Sequence, residues 1–359
     1  MTEFDKYIRQ GELDQKEKAV TWQVAIGLQD VDGLKPSEYL IQTAQQHIEG
    51  DISIDEVKHL IDTYYQSKSS RGEMEDERTE EADKVSARIT ELLSEKTFSF
   101  TPDYLLYIHK RLFEGLYKHA GQIRNYNITK KEWVLDGDTV IYSDYEMIRP
   151  TLEYDFAQEK TTDYPAMNAE QALQRIGKFI SGIWQIHAFG EGNTRTIAVF
   201  LMKYLKTFGF KVDNDIFKKH SWYFRNALVR ANYNNYTKGV SANTKYLEMF
   251  LRNMLFGEEN NLSNREMNKN FSQSAKEEES KSQNGTLDGT LNCTLDEMAL
   301  LNFLKENPKA TQADIAQHIG KSERTVKRMT PSLIDRGLLE RVNGKGDKGS
   351  WVVKLIPHD

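Results

Sequence analysis

The sequence predicts a mainly α-helical protein with a helical core, one β-hairpin inserted in that core, and a small C-terminal domain of helices and a second hairpin. Apolar residues recur at helical spacing through most of the segment from residue 81 to residue 256. The 359-residue chain has 38% hydrophobic residues and only 7 prolines, which is typical of a protein that buries a core.

Charge and composition exclude several classes of protein. The formal net charge of -6 excludes a wholly basic nucleic-acid coat, although a local basic patch remains compatible with it. The single cysteine, Cys293, excludes a disulfide framework and a zinc site built on paired thiolates. No apolar run approaches the ~20 residues that span a bilayer, and the N-terminus lacks a signal-peptide pattern. We therefore expect a cytoplasmic protein without a membrane partner.

The N-terminal part, residues 1–66, reads as a helical region. Two helical segments flank a turn at residues 32–36, and a third follows. Residues 67–81 lack apolar periodicity and are predicted to be a solvated connection.

The core is assigned to residues 67–256. Within it, two β-prone runs around an Asp-Gly-Asp turn predict a hairpin at 127–142.

The C-terminal part has two predicted sections. Residues 257–292 are rich in Asn, Ser, Glu and Gly and predict a flexible linker. Residues 293–359 show the order helix, short helix, turn, longer helix and hairpin, which is the order of a winged helix-turn-helix domain.

A corner between two apolar helices within residues 183–205 carries the strongest functional pattern. The loop there contains two glycines, Gly190 and Gly192, which let the backbone approach a phosphate without a Cβ clash. The second helix begins near Asn193. Its first N–H groups lack intrahelical partners and lie at the positive end of the helix dipole, so polyphosphate is a natural ligand.

The side chains at this corner fit phosphoryl chemistry. Arg195 can bind phosphate oxygens bidentately. Glu191 is an acid beside an anion site, which implies a bridging magnesium ion. An imidazole such as that of His187 titrates near neutrality and suits a general base. The plainer alternative is a helix–turn–helix corner in which Glu191 and Asn193 act as caps and His187 is a packed polar residue.

The segment resembles the active-site motif of the Fic family, H-x-F-x-[DE]-G-N-[GK]-R. The motif reads here His187-Ala188-Phe189-Gly190-Glu191-Gly192-Asn193-Thr194-Arg195. The likeness extends over roughly residues 84–256 and includes the stretches 120–129 and 227–235. It implies a Fic-type helical core with a β-hairpin flap, joined to the antitoxin-like N-terminal region and the winged-helix domain.

The resemblance implies a protein adenylyltransferase that moves AMP from ATP to a Ser, Thr or Tyr hydroxyl of a target protein. His187 would be the general base, and Glu191 would hold magnesium on the α- and β-phosphates. The target would dock at the hairpin 127–142, main chain to main chain. The implied nucleotide-binding residues are Gly190, Glu191, Gly192, Asn193, Thr194 and Arg195, with Asn232 as a weaker candidate on the adenine side.

Two positions depart from the family pattern. Many Fic enzymes have glycine at the position of Thr194 and a second arginine at the position of Ala198. Loss of that arginine removes one charge-assisted contact to the γ-phosphate, worth about 1.5–3 kcal/mol. Two alternatives therefore stay open: a Fic enzyme with another nucleotide donor, and a nucleotide-sensing transcriptional regulator with a degenerate Fic core.

Asp32 is the candidate autoinhibitory residue. Inhibitory helices of the family carry [ST]-x-x-x-E-[GN], and residues 28–33 resemble them in context but lack the hydroxyl residue and have Asp for Glu. A short acid that faces Ala198 is expected to block poorly. The alternatives are a plain turn at this point, or an inhibitory role for Glu49 or Glu73.

The predicted recognition helix, residues 321–336, has a local charge of +3, from five basic and two acidic residues. Lysines 345 and 348 lie in the predicted wing. We expect phosphate contacts with DNA through 321–348, with protein docking and a passive cap as alternatives. A homodimer is compatible with the sequence but not specified by it. The basic residues of the helix are Lys321, Arg324, Lys327, Arg328 and Arg336.

Overall fold

The computed structural model describes residues 4–69, 75–210, 216–268, 293–342 and 349–354. It confirms the mainly α-helical fold. The N-terminal helices are α1 (Asp5–Gln10), α2 (Leu13–Gly27), α3 (Glu38–Glu49) and α4 (Ile54–Ser69). The core helices are α5 (Glu75–Ser94), α6 (Pro102–Phe113), α7 (Ile148–Lys160), α8 (Ala169–Ile186), α9 (Asn193–Lys206), α10 (Ile216–Asn232), α11 (Lys245–Phe256) and α12 (Asn264–Met267).

The N-terminal helices pack directly on the core. Helix α2 contacts α5 and α10, and a 3₁₀ helix, Leu28–Asp32, continues from it and contacts α9. Gly33 ends this short helix with a φ of +65°, a conformation that favours glycine. The predicted turn at residues 32–36 therefore forms, and it lies against the core.

The solvated connection predicted at 67–81 is mostly helical in the residues that the structure describes. Helix α4 continues to Ser69 and α5 begins at Glu75. Lys84 joins the two helices, since its Nζ lies 2.9 Å from Asp62 and 2.8 Å from Glu80. The apolar spacing of residues 85–93 predicts only the later part of α5, because the first turns of this helix are polar and bury little surface.

Helices α8 and α9 form the centre of the core. Every residue of α9 from Asn193 to Leu205 is buried. Around α8 and α9, the rings of Phe156, Phe179 and Phe200 pack at centroid distances of 5.3–6.4 Å. The corner between the two helices is thus built on rigid elements, which is what a site of defined geometry requires.

The prediction of a β-hairpin at 127–142 is wrong: these residues form a loop, here called the flap loop. No strand forms in these residues; a 3₁₀ turn spans Trp133–Leu135, and Asp136 follows with a φ of 57°. The Glu132 N–H donates to the Asp138 carbonyl at 2.9 Å, so the two arms still meet. The flap loop therefore keeps the course of a hairpin without its ladder.

The winged helix-turn-helix domain is confirmed. Its first two helices each begin after an N-cap threonine. The side chains of Thr294 and Thr311 each accept a hydrogen bond from the backbone N–H three residues further along the chain. Its two strands pair antiparallel, with Leu339 opposite Val353. Residues 343–348, with the wing lysines, lie outside the described residues. The elements are α13 (Leu295–Glu306), α14 (Gln312–Ile319), α15 (Glu323–Asp335), β1 (Leu339–Val342) and β2 (Ser350–Val353).

The described part of the predicted linker, residues 257–268, packs against the core. Met267 in α12 is fully buried, and Asn226 Nδ2 of α10 donates to Asn264 Oδ1 at 2.8 Å. Residues 257–268 therefore differ from a flexible linker, because the buried Met267 side chain holds them against the core. Residues 269–292 lie outside the described residues.

The C-terminal domain contacts the core directly. The Ala169 N–H donates to the Cys293 carbonyl at 2.6 Å, and Asn302 Nδ2 donates to the Leu255 carbonyl at 2.7 Å. None of the described helices combines the length and the apolarity needed to cross a membrane.

Candidate active site

The corner between α8 and α9 has the geometry of an anion-binding loop. Helix α8 ends at Ile186, His187 adopts a left-handed conformation with a φ of 51°, and α9 starts after Gly192, whose φ is 71°. A Cβ on Gly192 would lie 2.4 Å from the Phe113 ring, so glycine is required there. The first intrahelical hydrogen bond of α9 runs from the Thr196 N–H to the Gly192 carbonyl, which leaves the preceding N–H groups unpaired within the helix.

Two side chains of the motif hold the loop itself. Asn193 Oδ1 accepts from the Phe189 N–H at 3.0 Å, and its Nδ2 donates to the Phe189 carbonyl at 2.7 Å. Thr194 Oγ1 accepts from Trp184 Nε1 at 3.0 Å. The side chains of Asn193 and Thr194 are therefore engaged within the loop and its neighbouring helix.

His187 is buried and its ring is unpaired. The side chain is only 4% exposed, and neither ring nitrogen has a hydrogen-bond partner among the described residues. Burial first, and then the charge of Lys130, hold the pKa of His187 well below its ordinary value. The imidazole is therefore neutral, with a nitrogen lone pair free to accept a proton.

A flap-loop residue covers the His187 ring. The ring centroids of Tyr142 and His187 lie 4.3 Å apart, and Trp184 closes another side at 5.4 Å. A cavity of 440 Å³ meets the loop at Gly190 and Glu191, but His187 does not line it. The His187 ring is therefore covered by Tyr142 and Trp184 in this arrangement.

Arg195 is 1% exposed and is enclosed by acceptors. Its Nε lies 2.8 Å from Asp32 Oδ2, an ion-pair distance without the alignment of a hydrogen bond. Its other nitrogens donate to Glu81 Oε1 at 2.6 Å and to Gln29 Oε1 at 3.1 Å. The Asp32 carboxylate thus faces Arg195, and the prediction that it faces Ala198 is wrong.

The other candidate acids do not join this site. Glu49 accepts a hydrogen bond from the Tyr7 hydroxyl and lies 3.7 Å from Lys6. Glu73 lies outside the described residues. Glu81 on α5 was not identified from the sequence, because its residue type and polar surroundings carry no positional information.

Glu191 is the acidic residue of the loop between α8 and α9. Its side chain is 69% exposed and lies 3.6 Å from Lys130 Nζ of the flap loop. The described residues contain no group of three or more His, Cys, Asp or Glu side chains that could hold a metal ion by themselves.

Two buried residues that sequence reasoning did not assign position the loop. Arg124 donates from Nε to the His187 carbonyl at 2.8 Å, and its backbone N–H donates to the Ala188 carbonyl at 2.9 Å. His109 Nδ1 accepts from the Gly121 N–H at 2.8 Å, so its Nε2 carries the proton and donates to the Glu191 carbonyl at 3.1 Å. The upstream stretch 120–129 was the available signal for Arg124.

His109 makes the stability of the fold sensitive to acid. Burial lowers the pKa of His109 to about 4, so the native state holds it neutral while the unfolded chain binds a proton below about pH 6.5. The contribution of His109 to the free energy of unfolding is therefore fully present above pH 6.5. It is lost as the pH falls toward 4, where the unfolded chain gains a proton that the native state does not bind, and the loss amounts to about 2–3 kcal/mol. We expect urea unfolding at pH 7 and pH 4.5 to show a smaller difference for His109→Gln than for the wild type. An equal difference in both proteins would contradict this role.

Asn232, the candidate for an adenine contact, is already engaged in the fold. Its Nδ2 donates to Ser181 Oγ at 2.8 Å and to the Leu228 carbonyl at 2.9 Å. The bond to Ser181 ties α10 to α8 and the bond to Leu228 stays within α10, so the structure gives the amide nitrogen a packing role.

The C-terminal basic surface is smaller than the sequence suggests. Lys321 Nζ lies 2.9 Å from Asp296, and Arg336 lies 3.1 Å from Glu297, so two of the five basic residues bind acids of α13. The exposed basic residues on α15 are Arg324, Lys327 and Arg328, of which Lys327 lies 3.3 Å from Glu323.

Comparisons with known protein families match two separate parts of the chain. Residues 99–205 match the Fic/DOC family, and residues 297–340 match the winged helix-turn-helix DNA-binding family. Over 150 residues the chain is 27% identical to protein adenylyltransferase VbhT of Bartonella schoenbuchensis, an alignment that covers 38% of this chain and 30% of that protein. The chain thus spans less than a third of that relative's length.

A solved structure of a Fic family protein from Desulfovibrio desulfuricans aligns with a TM-score of 0.44 and 10% identity, over 98% of this chain and 92% of that chain. The family match includes the whole corner from His187 to Arg195 and ends before Asn232. The chain therefore carries a Fic/DOC family domain at residues 99–205 and a winged helix-turn-helix domain at residues 297–340.

Proposed function

We propose that the protein is a Fic-type adenylyltransferase that transfers AMP from ATP to a Ser, Thr or Tyr hydroxyl of a target protein. The observation that carries the proposal is a neutral, unpaired imidazole at position 187, one short loop away from the open N-terminus of α9. We assign the reaction to a core at 67–256, with a regulatory region at 1–66, a connecting segment at 257–292 and an accessory domain at 293–359.

His187 acts as the general base. Its neutral ring takes the proton of the target hydroxyl while the hydroxyl oxygen forms a bond to the α-phosphorus of ATP. The bond from that phosphorus to the bridging oxygen breaks, and pyrophosphate leaves. Since both ring nitrogens are unpaired, no internal hydrogen bond has to break before the proton moves.

The phosphates bind at the start of α9. The unpaired N–H groups there and the helix dipole attract the negative charge, and Gly190 and Gly192 keep the loop backbone accessible. Glu191 fits a magnesium–nucleotide complex, because it is an exposed single carboxylate, and magnesium commonly takes one or two protein carboxylates together with substrate phosphates. Bound magnesium would neutralise phosphate charge, and Arg195 would hold the far end of the phosphate tail.

Asp32 acts as a brake on this site. The carboxylates of Asp32 and Glu81 both form ion pairs with the Arg195 guanidinium. The arginine is therefore unavailable to phosphate in this arrangement. The proposal supports an autoinhibitory N-terminal region, although the inhibitory acid is one methylene shorter than the family pattern requires.

The test of the proposal is transfer of label from ATP. We expect full-length protein, incubated with magnesium and ATP labelled on the α-phosphate, to label itself or a protein in a lysate, whereas ATP labelled on the γ-phosphate adds no label beyond that of the lysate alone. GTP, CTP and UTP labelled in the same way test the alternative of another donor. Absence of α-label from every nucleotide, with wild type and with Asp32→Ala, would contradict nucleotidyl transfer.

The flap loop is the proposed docking segment for the target. Its apolar side chains Trp133 and Ile141 are 51% and 79% exposed, in a loop that borders His187 through Tyr142. The absence of a ladder within 127–142 leaves main-chain groups of the described loop available for pairing with an extended target segment.

The second candidate function is DNA binding by the C-terminal domain, favoured by the exposed Arg324 and Arg328 on α15. We expect the pair Arg324→Ala/Arg328→Ala to weaken DNA binding and to lower the slope of log K against log salt by about 2. The control pair Lys178→Ala/Lys245→Ala removes the same charge from exposed positions of the core. Equal loss in both pairs would show that net charge, rather than α15, attracts DNA.

A further inference from the structure

The phosphate site needs more positive charge than α9 provides. The start of α9 carries one cation, Arg195, and two carboxylates already surround it. Ala198, one turn further along, is fully buried and uncharged. A triphosphate tail brings several negative charges to this loop, so a second cation from another element would strengthen its binding.

Three cations outside α9 act on the His187 ring, and they differ in how firmly they are held. Arg124 donates to the carbonyls of His187, Tyr126 and Ser143, which fixes its guanidinium in the fold. Arg225 pairs with the buried Glu132 through two hydrogen bonds. Both arginines are committed to structural bonds.

Lys130 differs from these arginines because its ammonium lies at the edge of the site. Its Nζ lies 3.6 Å from Glu191 Oε2, a contact at the limit of an ion pair, with a carboxylate that is 69% exposed. Although the Lys130 side chain is only 28% exposed, a long contact to an exposed carboxylate contributes little, so exchange of the carboxylate for phosphate costs little free energy.

The base of the Lys130 side chain is nevertheless well placed. Its backbone N–H donates to Thr139 Oγ1 at 3.3 Å, across the two arms of the flap loop. Two residues further on, Glu132 anchors the loop to Arg225 of α10. The ammonium therefore extends from a held backbone toward the loop that carries Glu191.

We propose that Lys130 is a phosphate-binding residue of this site, which contacts the tail of the nucleotide once magnesium engages Glu191. The inference rests on the proposed function, since it assigns a partner to the same nucleotide. It also makes the flap loop a part of the nucleotide site, in addition to its role toward the target.

Lys130→Ala and the neighbouring Lys131→Ala form a matched pair. Both variants lose one positive charge from the same loop, but Lys131 is exposed and has no contact with Glu191 among the described residues. We expect Lys130→Ala to weaken the binding of magnesium-ATP by at least about tenfold and to leave the binding of AMP within about twofold, because a charge-assisted bond to the tail is lost. Lys130→Arg should restore most of the affinity for ATP.

The measurement is isothermal titration of the full-length protein with magnesium-ATP and with AMP. Unchanged ATP affinity in Lys130→Ala, or an equal loss in Lys131→Ala, overturns the role of Lys130 while the proposed function stands. An equal loss of ATP and AMP affinity in Lys130→Ala shows a structural effect and also overturns it. If the wild type and Asp32→Ala bind neither nucleotide, the proposed function itself fails, and the inference with it.

Discussion

Replacement of His187 is expected to reduce the rate of AMP transfer by about 10²–10⁴-fold, the usual contribution of a general base. Asparagine is the sharpest replacement. It tolerates the left-handed conformation that His187 adopts at the end of α8, yet it cannot accept the proton. His187→Asn therefore separates loss of chemistry from loss of the loop.

The measurement is the single-turnover rate with magnesium-ATP, compared with nucleotide affinity in the same variant. We expect the rate to fall and the affinity to stay near that of the wild type. His119→Ala is the control, because this exposed histidine lines the cavity beside Glu191, which His187 does not line. Equal rates in His187→Asn and wild type would remove His187 from the mechanism.

Removal of the Asp32 carboxylate is expected to raise the affinity for magnesium-ATP and the transfer rate by about tenfold. The change leaves Arg195 with Glu81 and Gln29 as partners, so the buried guanidinium is not left uncompensated. Phosphate then competes with one carboxylate instead of two. Arg195 also lies 4.8 Å from the Phe113 ring, which keeps it in place.

Asp30→Ala provides the matched control for Asp32→Ala. Asp30 lies in the same 3₁₀ helix, is exposed and carries the same charge. Increased activity in Asp32→Ala alone supports the brake. Decreased or unchanged activity, with a fold of wild-type stability, would show that Asp32 only stabilises Arg195.

The corner itself was predictable from sequence, because its chemistry depends on residues that are close in the chain. The loop is defined by two glycines, by the start of a helix and by the spacing of His187, Glu191 and Arg195. These features do not depend on the rest of the fold. The caps of the C-terminal helices, at Thr294 and Thr311, are local in the same way. Features that depend on short-range hydrogen bonds and local spacing are the ones a sequence can indicate.

The partners of the corner were not predictable, because they come from distant segments. Glu81 lies 114 positions before Arg195 and belongs to a stretch without apolar periodicity. His109 supports the loop through its hydrogen bond to the Glu191 carbonyl, which is 82 positions away in the chain.

The flap loop shows a different limit of sequence reasoning. Its β-prone residues and Asp-Gly-Asp turn suggested strands, yet Glu132 turns inward to Arg225 and Tyr142 turns inward to His187. These tertiary contacts hold the two arms in place of a ladder. Tertiary packing often overrides β-propensity in this way.

The most direct test of the nucleotide site is a crystal structure of Asp32→Ala with magnesium and a non-hydrolysable ATP analogue. The account predicts phosphates on the main-chain N–H groups at the start of α9, Arg195 turned to the tail, and the His187 ring uncovered beside the α-phosphorus. An analogue bound elsewhere, with Tyr142 still covering His187 and Arg195 still held by Glu81, would contradict it.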